Sequence, residues 1–169
     1  MATSLYSLSI RQPPGSVETD VRRKRVKAPK SAKPRFIVDN DASGTAGVLT
    51  KLGWHTYAAD PFASDTEIAD RALQSGLSVL TMDNHFSRLS LQSIPFTVIL
   101  SGGAQQSMST ATAQIQYLHQ LIRVGEIDPG PHQRVTLTTG VATIQTIGRD
   151  GSPITRRLSA KGRSRRKMK

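Results

Sequence analysis

Three short apolar runs, RFIVD (35–39), LSVLTMD (77–83) and FTVILSG (96–102), constrain this chain more than any other feature. Each is rich in β-branched residues, too short for a buried helix, and continuously apolar instead of alternating. Strands of that kind are buried on both faces, which requires a parallel sheet with helices above and below it. The intervening segments supply those helices. ASGTAGVLTKLG (42–53) places Ala46, Leu49 and Leu52 at helical spacing and stops at Gly53. WHTYAA (54–59) is a further strand. SDTEIADRALQSG (64–76) opens with Ser64 three residues before Glu67, the spacing of a capping box, carries Ile68, Ala72 and Leu73 on one face, and closes at Gly76. A third helix within 105–125 has Ile115, Leu118, Leu121 and Ile122 as its apolar stripe. After Pro129 and Pro131, RVTLTTGVATIQTIGRDGSPITRRL alternates every second residue around Gly140 and GRDG, the pattern of antiparallel hairpin strands added to the sheet.

Charge divides the chain differently. Of a formal net charge of +11, residues 1–35 contribute +7 and residues 156–169 contribute +8, so the middle is acidic, at −4. The stretch VRRKRVKAPKSAKP (21–34) crowds like charges among prolines and offers almost no apolar surface, so ordering it would cost backbone entropy with nothing buried in return. The expected organisation is a disordered basic arm over 1–34, one α/β domain over 35–157 and a basic tail over 158–169. Arg22, Arg23, Lys24, Arg25 and Lys27 in the arm, with Arg163, Arg165 and Arg166 in the tail, are candidates for phosphate contacts, since each neutralised phosphate releases counterions. A solubilising role is the competing explanation for both ends. There is no cysteine, which excludes disulfides, thiolate metal sites and a Cys nucleophile. The first twenty residues lack the pattern of a secretory signal, and no run reaches the length of a membrane span. A soluble cytoplasmic protein without a membrane partner is expected.

The acids of the middle point to a site. Ligands of an open parallel sheet bind at the carboxyl ends of its strands, where Asp39 and Asp83 both stand. Asp65, in the first turn of the second helix, falls at the same edge. Converging carboxylates raise one another's pKa unless a cation balances them, and an oxygen-rich donor set without thiolate favours Mg²⁺ or Mn²⁺. Each residue also has a local explanation. Ser64, Asp65 and Glu67 suit any helix start, Asp83 can cap the segment after it, and Asp41 reads as a turn residue. His55 and His119 read as ordinary packed or surface histidines, and Asp60 and Asp70 as solvent-facing acids. It is the order and spacing of Asp39, Asp65 and Asp83 that favour one crevice.

In that order and spacing FIVDND, SDTEIADRA and SVLTMDNHF followed by PFTVIL resemble the PIN-like family of small nuclease domains, many of which are encoded as toxins of toxin–antitoxin pairs. The resemblance runs from about Arg35 to Leu100, with the helix to Gly125 and the final hairpin agreeing in layout. It implies a Rossmann-like three-layer α/β/α sandwich with a mainly parallel central sheet. It also implies metal-dependent cleavage of RNA by acids matching Asp39, Asp65 or Glu67, and Asp83, and an antitoxin protein as partner; a homo-oligomer is compatible with it. Asp39, Asp83 and Asp65 are accordingly the expected catalytic and metal-binding residues, with Glu67, His85 and Asn40 as auxiliary candidates.

Two departures stand out. Where the family commonly has Asp-x-Asp-Phe, this chain has Asp83-Asn84-His85-Phe86, which leaves the number of metals open. The family domain also usually starts near the N-terminus, without a basic arm. Two other readings compete. One is a nucleic-acid-binding module whose acidic site is degenerate. The other is a receiver-like phospho-acceptor domain with Asp83 as acceptor, disfavoured because no lysine lies between Lys51 and Lys161 to neutralise a phosphoryl group.

Overall fold

Strands β1 (Arg35–Val38), β3 (Ser78–Thr81), β4 (Thr97–Leu100) and β5 (Arg134–Thr138) run parallel through the middle of a seven-stranded sheet, which β2 (His55–Ala58), β6 (Val141–Ile147) and β7 (Pro153–Ser159) complete in the order β2-β1-β3-β4-β5-β6-β7. This computed structural model describes residues 33–102 and 105–160. The basic residues at 22–27 and 163–166, and the arm and tail boundaries at 34 and 158 as far as they concern segments 1–32 and 161–169, lie outside those residues.

The continuous apolar runs are explained by burial from both sides. Within β1, Phe36 and Val38 join one core while Ile37 joins the other; β3 divides Leu80 from Val79, and β4 divides Val98 and Leu100 from Ile99. The first core is closed by Leu49 of α1 (Ala46–Lys51) and by Ala111, Ile115, Leu118 and Leu121 of α3 (Met108–Arg123). The second is closed by Ile68, Ala69 and Ala72 of α2 (Asp65–Gln74), with Phe86 and Ile94 from the loop after β3. Helices therefore cover both faces of the parallel strands.

Local signals set the helix boundaries. Ser64 caps α2 as its spacing predicts: its hydroxyl accepts from the Glu67 N–H, and the Glu67 carboxylate accepts from the Ser64 N–H at 2.7 Å. The helix expected over 42–53 is divided, with a 3-10 segment at Asn40–Thr45 before α1. NDASGT offers no apolar face at i and i+4 spacing, and the Asp39 carboxylate accepts from the Asn40 N–H at 2.7 Å, which holds a tight turn there. In α3 the start is fixed by Ser107, which accepts from the Thr110 N–H. Ile122 is only partly buried, and Gln114 takes a core position instead, donating to the Ser101 carbonyl at 3.1 Å.

The C-terminal strands extend the sheet by antiparallel pairing. β6 (Val141–Ile147) turns back from β5 at Thr139–Gly140, where Gly140 has a φ of 71°, a conformation costly for any residue with a Cβ. β7 (Pro153–Ser159) then pairs with β6 and is exposed along most of its length. It runs two residues beyond the expected domain end at 157, because its pairing with β6 continues to Val141 and Ser159. No helix of the described residues is long and apolar enough to cross a membrane.

The strand order fixes where a ligand could sit. The chain leaves β1 for β2 (His55–Ala58) on one side, then crosses through α2 to β3 on the other. The sheet thus has a topological switch point between β1 and β3, and the crevice at the carboxyl ends of those two strands is its natural binding position.

Candidate metal centre

Asp39 and Asp83 follow the last residues of β1 and β3, on either side of that switch point. Asp65 begins α2, the helix that crosses between the two halves. The three acids come from separate elements because the topology, and not their sequence distance, joins them.

Thr81 ties the two strand ends together. Fully buried, it donates from Oγ1 to Asp39 Oδ2 at 3.0 Å and accepts from the Asp83 N–H at 2.9 Å. One hydroxyl therefore orients the first acid and the backbone that carries the second. Asp83 in turn caps the 3-10 segment Asn84–Arg88: its Oδ1 accepts from the His85 N–H at 2.8 Å, while its Oδ2 lies 3.1 Å from His85 Nδ1. That contact turns the imidazole toward the acids. Asp65, Asp83 and His85 each offer one ligand atom, and these atoms lie within 4.8 Å of one another.

A fourth acid belongs to the same mouth. Asp41 accepts from the Met82 N–H through both oxygens, at 3.2 and 3.1 Å. Although the residue as a whole is exposed, its carboxylate turns inward against the end of β3. Burial is the main reason the Asp41 acid lies above its ordinary range; the Met82 N–H opposes the rise, and the charges of Asp39 and Asp83 add to it. Asp65 is raised as well, first by burial and then by Asp83 and Asp39, with His85 acting in the opposite direction.

The expected site residues thus fall into two groups. Asp39, Asp65, Asp83 and His85 share one mouth. Glu67 is committed elsewhere: it is exposed, its carboxyl is held below the ordinary range by hydrogen bonds from Ser64, and the charges acting on it are those of Arg71 and Asp60. Asn40, also exposed, serves the site through its backbone N–H on Asp39. Two participants had not been expected. Asp41 looked like a turn residue because DND is typical turn composition. Thr81 carried a signal in the sequence, as a polar side chain that follows Val79 and Leu80 at the strand end, two residues before an acid.

Thr81→Val is a sharp test of this arrangement, since it keeps the shape and removes the hydroxyl. We expect it to cost about 1–3 kcal/mol by leaving the Asp83 N–H and an Asp39 oxygen without their partner, read as a lower urea midpoint. An unchanged midpoint would mean that the hydroxyl does not tie the strand ends together.

The donor chemistry fits a hard divalent ion. Carboxylates predominate, thiolate is absent from the chain, and the acids' mutual repulsion is the kind a cation relieves. The imidazole makes Mn²⁺ the better match of the two expected ions, because it tolerates nitrogen ligands more readily than Mg²⁺. Family models, characterised proteins and solved structures yield no match to the chain.

Proposed function

We propose that this protein is a metal-dependent ribonuclease of PIN-like type, with a Rossmann-like α/β/α fold, acting on RNA phosphodiester bonds. The observation that carries the reading is the convergence of Asp39, Asp65 and Asp83 from three elements at the switch point of a parallel sheet, with the Asp65 acid raised first by burial and then by the other two charges. A crevice of four acids and one histidine is poorly suited to binding an anion unaided and well suited to doing so around a cation.

Asp65 and Asp83 would hold the ion with His85, and Asp39 would act beside them, steadied by Thr81. A bound divalent ion supplies acidified water and neutralises charge on a phosphate. The protein's own groups do the rest. Thr81 fixes the angle between the strand-end acids, so the donors are set before substrate arrives. Asp83 orients the His85 ring by holding its Nδ1, which leaves Nε2 free to serve as the ligand atom. The net charge of +11 supplies long-range attraction for a polyanion that the acidic mouth itself lacks. A toxin role with an antitoxin partner follows only from the resemblance, and a cytoplasmic location only from the cysteine-free composition and the lack of a secretory pattern; both belong to this proposal.

End-labelled single-stranded RNA incubated with the full-length protein tests it. Cleavage is expected with Mn²⁺ or Mg²⁺ and none with EDTA. Cleavage that persists in EDTA, or intact RNA with a protein shown to bind Mn²⁺, would sink the proposal.

A further inference from the structure

The sheet ends in an open edge. β7 pairs with β6 on one side and, among the described residues, with nothing on the other. Two hydrogen bonds fix which of its backbone groups are open: the Gly148 N–H donates to the Ser152 carbonyl at 2.7 Å, and the Ala160 N–H to the Gly140 carbonyl at 2.9 Å. Antiparallel bonding alternates, so Ile154, Arg156 and Leu158 direct their backbone groups to β6. Thr155, Arg157 and Ser159 turn theirs outward, as does Pro153, whose missing N–H at that position breaks no bond to β6. The two faces of the strand differ as well. Arg156 and Leu158 lie on the α3 side, opposite Ile144 and Ala142 of the first core. There Arg156 donates to the Glu126 carbonyl and lies 3.7 Å from its carboxylate, while Tyr117 and Leu121 of α3 border a hollow of about 300 Å³ with Leu158 and Ala160. On the other side Arg157 is exposed and has no acidic partner among the described residues.

We propose that β7 receives an extended peptide of a partner protein as an added strand, and that this peptide alternates acidic with apolar residues. The inference does not depend on the ribonuclease reading. Acidic side chains of the peptide fall beside Arg157 and apolar ones over the hollow, so an open ladder supplies affinity and the two faces supply selectivity. Charge argues against the other strands that could add here. Residues 156–169 carry eight basic groups and no acid, which repels a basic peptide. A second copy meets the same obstacle. Antiparallel pairing over the whole of β7 sets the Arg156 side chains of the two copies together, and the register centred on Arg157 does the same for that residue. RNA is attracted by the charge, but its phosphates only accept hydrogen bonds, whereas the edge presents donors and carbonyl acceptors in turn at strand spacing.

Isotopically labelled full-length protein tests this with three probes: a fluorescent, end-capped heptapeptide alternating Val and Glu, its counterpart with Lys for Glu, and a single-stranded oligouridylate in EDTA. The Val–Glu peptide should bind about tenfold or more tighter than the Val–Lys peptide. It should slow amide hydrogen exchange at Thr155, Arg157 and Ser159, with little change at Ile154, Arg156 and Leu158, which are already bonded to β6. Arg157→Glu should weaken the Val–Glu peptide by about 2- to 30-fold and improve the Val–Lys peptide. Thr155→Pro removes one outward donor without touching the β6 ladder and should weaken the Val–Glu peptide by about 2- to 10-fold. No Val–Glu binding at about 1 mM, binding without the alternating protection, or the same protection produced by oligouridylate would overturn the proposal. So would protection of these three amides in the protein alone that vanishes on dilution, the mark of a second copy on the edge.

Discussion

Asp83→Asn is expected to reduce Mn²⁺-dependent RNA cleavage by at least about a hundredfold, more than is usual for loss of a group behind a metal ligand. The fold should survive the change. Asn keeps a carbonyl oxygen where Asp83 Oδ1 accepts from the His85 N–H, so the cap of the 3-10 segment is retained. What is lost is charge: the site forfeits the carboxylate that both lies within ligand distance of Asp65 and orients the His85 ring. Asp39→Asn should behave similarly at some added cost, because the amide keeps one oxygen to accept from either the Asn40 N–H or Thr81 while the charge and the second acceptor disappear. The check is single-turnover cleavage beside a thermal melt. Retention of activity within about threefold, with an unchanged melt, would show that the acids are structural caps and nothing more.

The second large effect concerns stability. Mn²⁺ at a hundred times its Kd is expected to stabilise the protein by about 2.7 kcal/mol, a rise in Tm on the order of 10 °C. In EDTA the burial of the acids, and after it their repulsion, should show itself through pH. Asp41 and Asp65 have folded pKa values above the ordinary 3.8, so between that value and the raised ones the native state binds more protons than the unfolded chain. Stability from these two groups therefore grows as pH falls through the raised values, is complete below 3.8, and is absent at neutral pH. Glu67 and Asp150 have lowered values and act with the opposite sign, losing their contribution as pH falls. The measurement that separates them is the difference in urea midpoint between wild type and Asp65→Asn from pH 7 to pH 3. The variant should be the more stable at pH 7 in EDTA and should lose that advantage on acidification. Mn²⁺ should reverse their order at pH 7, and a variant that gained as much from Mn²⁺ as wild type would place the ion elsewhere.

The parallel sheet was legible because Phe36–Val38, Val79–Thr81 and Thr97–Leu100 show no polar alternation, and only strands buried from both sides tolerate that. The α2 boundary was legible from Ser64 and Glu67, whose roles are local. Asp41 was not, since its engagement depends on a backbone N–H forty-one positions away at Met82, and nothing in DND reports which strand end will lie beside it. The same limit applied to Glu67. Its spacing from Ser64 predicted the capping box, but only the direction of the helix shows that this occupies the carboxylate and leaves Asp65 to face the mouth. Local hydrogen bonding can thus be read from the chain, whereas which of two neighbouring acids is available depends on packing.

The direction of the strands has a practical consequence. The backbone enters the sheet at Arg35, at the end of β1 opposite the acids, and after two antiparallel reversals leaves β7 at Ser159 on the acids' own side. An affinity tag or fluorescent fusion joined ahead of the first strand is attached at the floor of the molecule. One joined behind the last strand is attached at its roof, on the side of the acids.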